Sequence, residues 1–113
     1  IRNLVINGAG DKGVSIGEKS HVSIIKSSVS HATIALACKD TSKTLADDLR
    51  IVDSKVGFAV YQKKPEFGGA QIYARNIVMT NVDNKYVGDS QSGIFENDQA
   101  VAVDLSALQG IIQ

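Results

Sequence analysis

Only one cysteine, Cys38, stands in the 113 residues, so no disulfide can form within the chain. Cys38 itself reads as a small buried side chain, because a nucleophilic thiol needs a nearby base and the local sequence supplies none. Neither charge sign is in excess: 12 lysines and arginines balance 12 aspartates and glutamates. That balance gives no electrostatic case for nucleic acid or an anionic membrane as the main partner. No apolar run approaches the roughly 20 residues needed to span a bilayer. No secretory signal is visible, but the chain begins at Ile1 rather than at methionine, which reads as a piece of a longer protein, so that absence carries no weight.

What the chain does contain is a repeat. Asp11–Ser20 (DKGVSIGEKS) lies over His31–Asp40 (HATIALACKD), with Val14 on Ile34 and Ile16 on Leu36. Val56 and Phe58 continue these two columns, and Tyr86 and Gly88 follow, at spacings of 20, 22 and 30 residues. The long third interval holds a polar, glycine-rich insertion, Lys63–Gly69 (KKPEFGG), with Pro65, the only proline. Further columns run Leu4, Ser27, Leu49, Ile77; Ile6, Val29, Ile51, Met79; Val22, Thr44, Ile72; and Ile24, Ala46, Ala74. Each repeat thus carries three short segments in which apolar residues alternate with others, separated by turn formers such as Asn7-Gly8, Asp53-Ser54 and Asn81.

Three strands in about 20 residues leave no room for hairpins. They fit one coil of an all-β solenoid, each strand pairing in parallel with its equivalent about 4.8 Å away in the next coil. A helical reading fails, since few segments keep an apolar i, i+3, i+4, i+7 pattern. The spacing predicts a single domain over 1–113, with rungs at about 1–20, 21–42, 43–70 and 71–92, and 93–113 as a terminal rung or cap. Asp104–Gln113 fits a short helical or irregular cap, with Val101, Val103, Leu105 and Leu108 free to lie across the last coil.

Three stretches, Asp11–Ser20, Ala35–Asp40 (ALACKD) and Tyr61–Ile72 (YQKKPEFGGAQI), resemble a family of bacterial right-handed parallel β-helix modules. Such modules often end larger surface-associated proteins, some with a spore-coat-type kinase domain upstream. The resemblance covers roughly Asn3 to Gly88. It implies a single-stranded right-handed parallel β-helix of about four to five rungs, an upstream domain in the same parent protein, and an extracellular or cell-surface location. It carries over no catalytic residue. The broader β-helix class, with its lyases, hydrolases and epimerases, tilts expectation towards polysaccharide, although fold alone is not function.

Candidate binding residues gather at the polar end of the third strand in successive rungs. Glu18 and Lys19, then Lys39 and Asp40, then Tyr61, Gln62, Lys63 and Lys64 should lie side by side. A ladder of charges and amides with an aromatic suits a sugar groove; the plainer reading is a solvated corner that keeps the coil soluble. The insertion adds Phe67, either a ligand contact or the anchor of a bulge packed on the flank. Lys19, Lys39, Asp40, Tyr61, Gln62, Lys63 and Phe67 are therefore the candidate ligand-binding set. No metal or other cofactor is expected. His21 and His31 have no metal-type partners, and Asp11–Glu18 lacks calcium-loop spacing. Asp47 and Asp48 are adjacent and so diverge, while Asp53 and Asp83 read as turn caps. No catalytic residue is assigned.

The expected function is a non-catalytic structural or interaction module, a rigid scaffold that touches polysaccharide. The alternative is the terminal part of a polysaccharide lyase, hydrolase or epimerase whose catalytic rungs lie upstream. The first strands, at Leu4 and Ile6, carry no shielding segment, so self-association through the N-terminal edge is expected.

Overall fold

The computed structural model describes residues 1–8, 11–62 and 68–107. The chain is all-β, and among the described residues there is no helix. Its strands are β1 (Val5–Asn7), β2 (Lys12–Ile16), β3 (His21–Ser30), β4 (Ile34–Lys39), β5 (Lys43–Tyr61), β6 (Gln71–Gly88), β7 (Gly93–Glu96) and β8 (Gln99–Val101). They form one mostly parallel sheet that does not close, in the order β1-β3-β5-β6-β7-β8, with β2-β4 joining at β5.

Pairing follows a fixed offset. Partners lie 22 residues apart between β3 and β5, and 28 apart between β5 and β6, where the insertion falls. Val22–Thr44–Ile72–Ile94, Ile24–Ala46–Ala74–Glu96, Ser27–Leu49–Ile77 and Ile6–Val29–Ile51–Met79 stand in register, the first two columns extending those read from the sequence, the third repeating the last three members of its column and the fourth matching in full. Two columns differ from the expected ones. Val14 pairs with Leu36, not Ile34, and Tyr86 pairs with Phe58, not Val56. Both differences are slips of two residues, which keep every side chain on its face, so alternation alone does not exclude them.

The strands bend sharply without leaving the ladder because single residues adopt left-handed conformations at matched positions. Asn3, Lys26, Asp48 and Asn76 (φ 59°, 52°, 59°, 56°) mark one bend, and Gly8, His31, Asp53 and Asn81 (φ 79°, 58°, 52°, 56°) the next. Asn, Asp and Gly tolerate this region best, which explains their recurrence between the alternating segments. Bends also strand backbone N–H groups, and serines one repeat later receive them. Leu4 N donates to Ser27 Oγ (3.0 Å), Ala32 N to Ser54 Oγ (3.2 Å), Ser20 N to Ser42 Oγ (3.2 Å) and Ala70 N to Ser92 Oγ (2.9 Å). Buried donors thus stay paired, as burial requires.

Inward residues of all three segments meet in one apolar cluster, including Leu36 and Phe58, Ile24 and Ile72, and Val29 and Ile51. Cys38 lies in it, accepting a hydrogen bond from Thr44 Oγ1 at 3.3 Å; burial pushes its thiol pKa up, so it is held as an inert thiol. A second cluster, Ile34, Ala37, Val56, Ala59, Tyr61 and Val87, covers the opposite side of β4 and β5, with Ala107 packed against it.

The insertion is pinned at both ends. Gly68 N donates to Thr41 Oγ1 (2.7 Å), Thr41 N donates to Gly68 O (2.9 Å), and Gln62 N donates to Asp89 Oδ2 (2.7 Å). Gly69 passes so close to the Gln91 carbonyl that a Cβ would lie 1.9 Å from its oxygen, hence glycine. The parallel progression ends at β7, where Asn97 and Asp98 (φ 52° and 66°) make a two-residue turn into antiparallel β8. The chain then returns to bridge Val87 at Asp104, whose Oδ1 accepts from Ser106 N and Oγ and from Ala107 N. Val101 and Val103 pack on the main core and Leu105 is exposed; Leu108 and the rest of the expected cap lie outside the described residues.

Candidate functional site

The candidate residues named from the sequence do come together in part. Lys39 pairs with Tyr61, Asp40 N donates to Tyr61 O, and Lys19 N donates to Asp40 O. Their presentation is another matter. Tyr61 and Asp40 are each 1% exposed, and the Tyr61 ring belongs to the second apolar cluster. Burial, with Asp40 and Asp11 nearby, pushes the Tyr61 hydroxyl pKa up. Lys19 is exposed, whereas Lys39 and Gln62 are half-buried. Lys63 and Phe67 lie outside the described residues.

The exposed aromatic surface lies elsewhere, on the outer face of the first halves of β3, β5 and β6 and on β7. Because Val22, Thr44, Ile72 and Ile94 point inward, the next residues of each strand point out. They form the column Ser23–Leu45–Tyr73–Phe95. Leu45 and Tyr73 are 38% and 39% exposed. Tyr73 and Phe95 stack with ring centroids 5.2 Å apart and planes 12° from parallel. One flanking column reads His21–Lys43–Gln71–Gly93, and the Tyr73 hydroxyl donates to Gln71 Oε1 at 2.8 Å. The other reads Ile25–Asp47–Arg75. Asp47 accepts from Asn76 Nδ2 (3.0 Å) and Arg75 Nε (2.9 Å), which hold its carboxyl below the usual carboxylate range. Two shallow grooves of about 230 and 270 Å³ share Leu45 and Tyr73 as a common wall. The face therefore combines an apolar spine, His21 and Lys43 on one flank, and the Asp47–Arg75 ion pair with exposed Asp98 on the other.

A polar ladder runs along the second bend. Asn7 Oδ1 meets His31 Nδ1 (3.0 Å), His31 Nε2 meets Asp53 Oδ2 (3.5 Å), and Asn81 Nδ2 donates to Asp53 Oδ1 (2.7 Å). It borders an open groove of about 330 Å³ with Lys55 and Asp83. Here His31 and Asp53 spend their hydrogen-bonding groups on neighbouring repeats, which makes the ladder a brace. Among the described residues no group of three or more His, Cys, Asp or Glu is arranged to hold a metal. At the end of the core, the Tyr86 hydroxyl donates to Glu96 Oε2 at 2.9 Å, and its pKa is pushed up to about 12 by burial and that carboxylate.

Sequence reading missed the Leu45–Tyr73–Phe95 spine, although the signal was present. Once Val22, Thr44 and Ile72 are set inward, period-two alternation puts Ser23, Leu45 and Tyr73 outside. Likewise Ile34–Cys38 and Val56–Tyr61 are nearly unbroken apolar runs, the mark of strands buried on both faces, and that reading would have placed Tyr61 in a core. Compared with known proteins, the chain matches no family model, no curated protein and no solved structure.

Proposed function

We propose that this chain is a right-handed parallel β-helix that serves as a non-catalytic interaction scaffold, presenting the flat Leu45–Tyr73–Phe95 face to a glycan. The observation that carries the reading is the register of that face: four parallel strands hold inward and outward columns in fixed positions, so the exposed side chains are preorganised. One-residue bends at matched positions and a main core fed by three segments support the helical coil. The resemblance of Asp11–Ser20 and Tyr61–Ile72 to bacterial β-helix modules supports a place in a larger surface-associated protein beside an upstream domain. The edge strands β1 and β2 have one neighbour each, and Val5 is 76% exposed, which supports self-association at that end.

Incubation with a panel of neutral and acidic polysaccharides tests the reading. The expected result is retardation in affinity electrophoresis with no new reducing ends and no unsaturated-uronate absorbance. Turnover that is lost in Asp53→Asn or Asp83→Asn would replace the scaffold reading with the enzymatic one.

A further inference from the structure

We propose that Asn7-Gly8 is a self-modification site: Asn7 loses ammonia to the Gly8 backbone nitrogen when the first strand opens, and the isoaspartate formed unlatches that strand from the second repeat. Asn7-Gly8 is the one Asn-Gly pair in the 113 residues. Glycine matters because it has no side chain to hinder its nitrogen as it approaches the preceding side chain. The other asparagines are followed by Leu4, Ile77, Val82, Lys85 and Asp98, each of which carries one.

The step needs only water as co-reactant. The Gly8 nitrogen bonds to Asn7 Cγ, the Cγ–Nδ2 bond breaks, and the Gly8 proton leaves with Nδ2 as ammonia. Water then opens the cyclic imide. Opening at the side-chain carbonyl gives aspartate. Opening at the main-chain carbonyl gives isoaspartate, whose backbone runs through the former side chain and is one carbon longer.

The fold opposes this reaction at both partners. The Gly8 N–H donates to Ser30 O at 3.0 Å, which covers the proton that must leave. Asn7 Oδ1 accepts from Ser30 Oγ at 3.0 Å and meets His31 Nδ1 at 3.0 Å, which ties the side-chain amide to the next repeat. All of these contacts come from Ser30 and His31, so they open together. They also sit on a thinly covered strand: Asn7 is exposed, and β1 has one neighbour among the described residues. Opening such an edge costs far less than unfolding the middle repeats. The two products then differ. Aspartate still offers an acceptor to Ser30 and His31, so the latch holds. Isoaspartate lengthens the backbone just before Gly8 and carries its N–H out of the register that Ile6–Val29 and Asn7–Ser30 set.

Peptide mapping by mass spectrometry, after incubation in oxygen-18 water at mildly alkaline pH, tests the proposal on the folded chain and on the chain in urea. Asn7 should be the first of the six asparagines to convert and should take up the label. Conversion should run at least about tenfold faster in urea than in the folded chain. Ser30→Ala and His31→Gly, the second chosen because residue 31 holds φ 58°, should each speed the folded reaction. In the separated isoaspartyl chain, the Gly8 amide should exchange hydrogen faster while the amides of β5 and β6 stay as protected as before; Asn7→Asp should exchange like the unmodified chain. Equal rates in folded and urea-treated chains would overturn the latch. So would slower conversion in the two variants, which would make Ser30 and His31 activators of the carbonyl. Earlier conversion at another asparagine would overturn the site, and an isoaspartyl chain with unchanged exchange at Gly8 would overturn the release.

Discussion

The two ends of the strand stack are built differently. At the last repeat, the inward column that runs Ile24–Ala46–Ala74 meets Glu96, bonded across the core by Tyr86, and the Asn97-Asp98 turn reverses the chain into β8. Asp104 then closes the ladder on Val87. At the first repeat, β1 and β2 each have one neighbour, and Leu4, Ile6 and Val14, which stand in inward columns, are only half-buried. A charge in an interior column and an antiparallel reversal both stop further parallel pairing, whereas apolar columns ending on an open edge invite it. The middle repeats differ from both ends, being covered above and below.

The largest effect that sharpens this contrast comes from placing the same charge in the middle and at the open end. Val60→Asp buries an unpaired carboxylate in the central repeat and should abolish folding, a cost of several kcal/mol, comparable to total domain stability. Ile6→Asp, at the first repeat, should cost about 1 kcal/mol, since the site is still open to water. Urea unfolding of both variants decides it; equal losses would erase the distinction between covered and open repeats.

Association is the next test. Light scattering over a concentration series should show a dimer or short stack that Leu4→Lys with Ile6→Lys returns to monomer, while Leu105→Lys at the other end leaves the mass unchanged. A wild-type chain that stays monomeric at millimolar concentration would show that the first strands are already closed.

A corner test follows. Ser54→Ala deprives the buried Ala32 N–H of its acceptor and should cost about 1–2 kcal/mol. The same change at Ser27, which serves Leu4 near the open end, should cost less, because water can replace the hydroxyl there. Thermal melts of the two variants check the difference.

The closed end also has a pH signature. The Tyr86 hydroxyl pKa is raised in the folded chain to about 12, from the ordinary tyrosine value of about 10. Its contribution is complete below pH 10 and fades as pH rises through 12, because the unfolded chain loses its proton first. Tyr61, shifted in the same direction, adds to the loss. The difference in Tm between wild type and Tyr86→Phe should therefore shrink between pH 10 and 12; a constant difference would remove the Tyr86–Glu96 bond from the account. The smallest effect is at the bends. Lys26 holds φ 52° without the tolerance of Asn or Gly, so Lys26→Gly should stabilise by about 0.5–1 kcal/mol.

These contrasts also show what could be read from the residues. The all-β class, the parallel columns through Thr44 and Ile51, and the place of the insertion follow from alternation and turn residues. The Val14 and Tyr86 columns slipped because a two-residue shift preserves the face of every side chain, and only cross-strand hydrogen bonds fix it. The aromatic site was sought at Tyr61 because that strand end looked polar. The second apolar cluster, assembled from Ile34, Ala59 and Val87 with Ala107, is a long-range contact that local pattern does not show. The outer spine, by contrast, was implicit in columns already aligned.

The parallel register is the claim on which the open end, the closed end and the Leu45–Tyr73–Phe95 face all depend. Nuclear Overhauser spectroscopy measures it directly. Amide-to-α-proton cross-peaks should link the neighbourhoods of Leu45 and Tyr73, Leu49 and Ile77, and Phe58 and Tyr86, all at an offset of 28 residues. Cross-peaks at the offset of 30 that joins Val56 to Tyr86, or an antiparallel pattern between β5 and β6, would contradict the account.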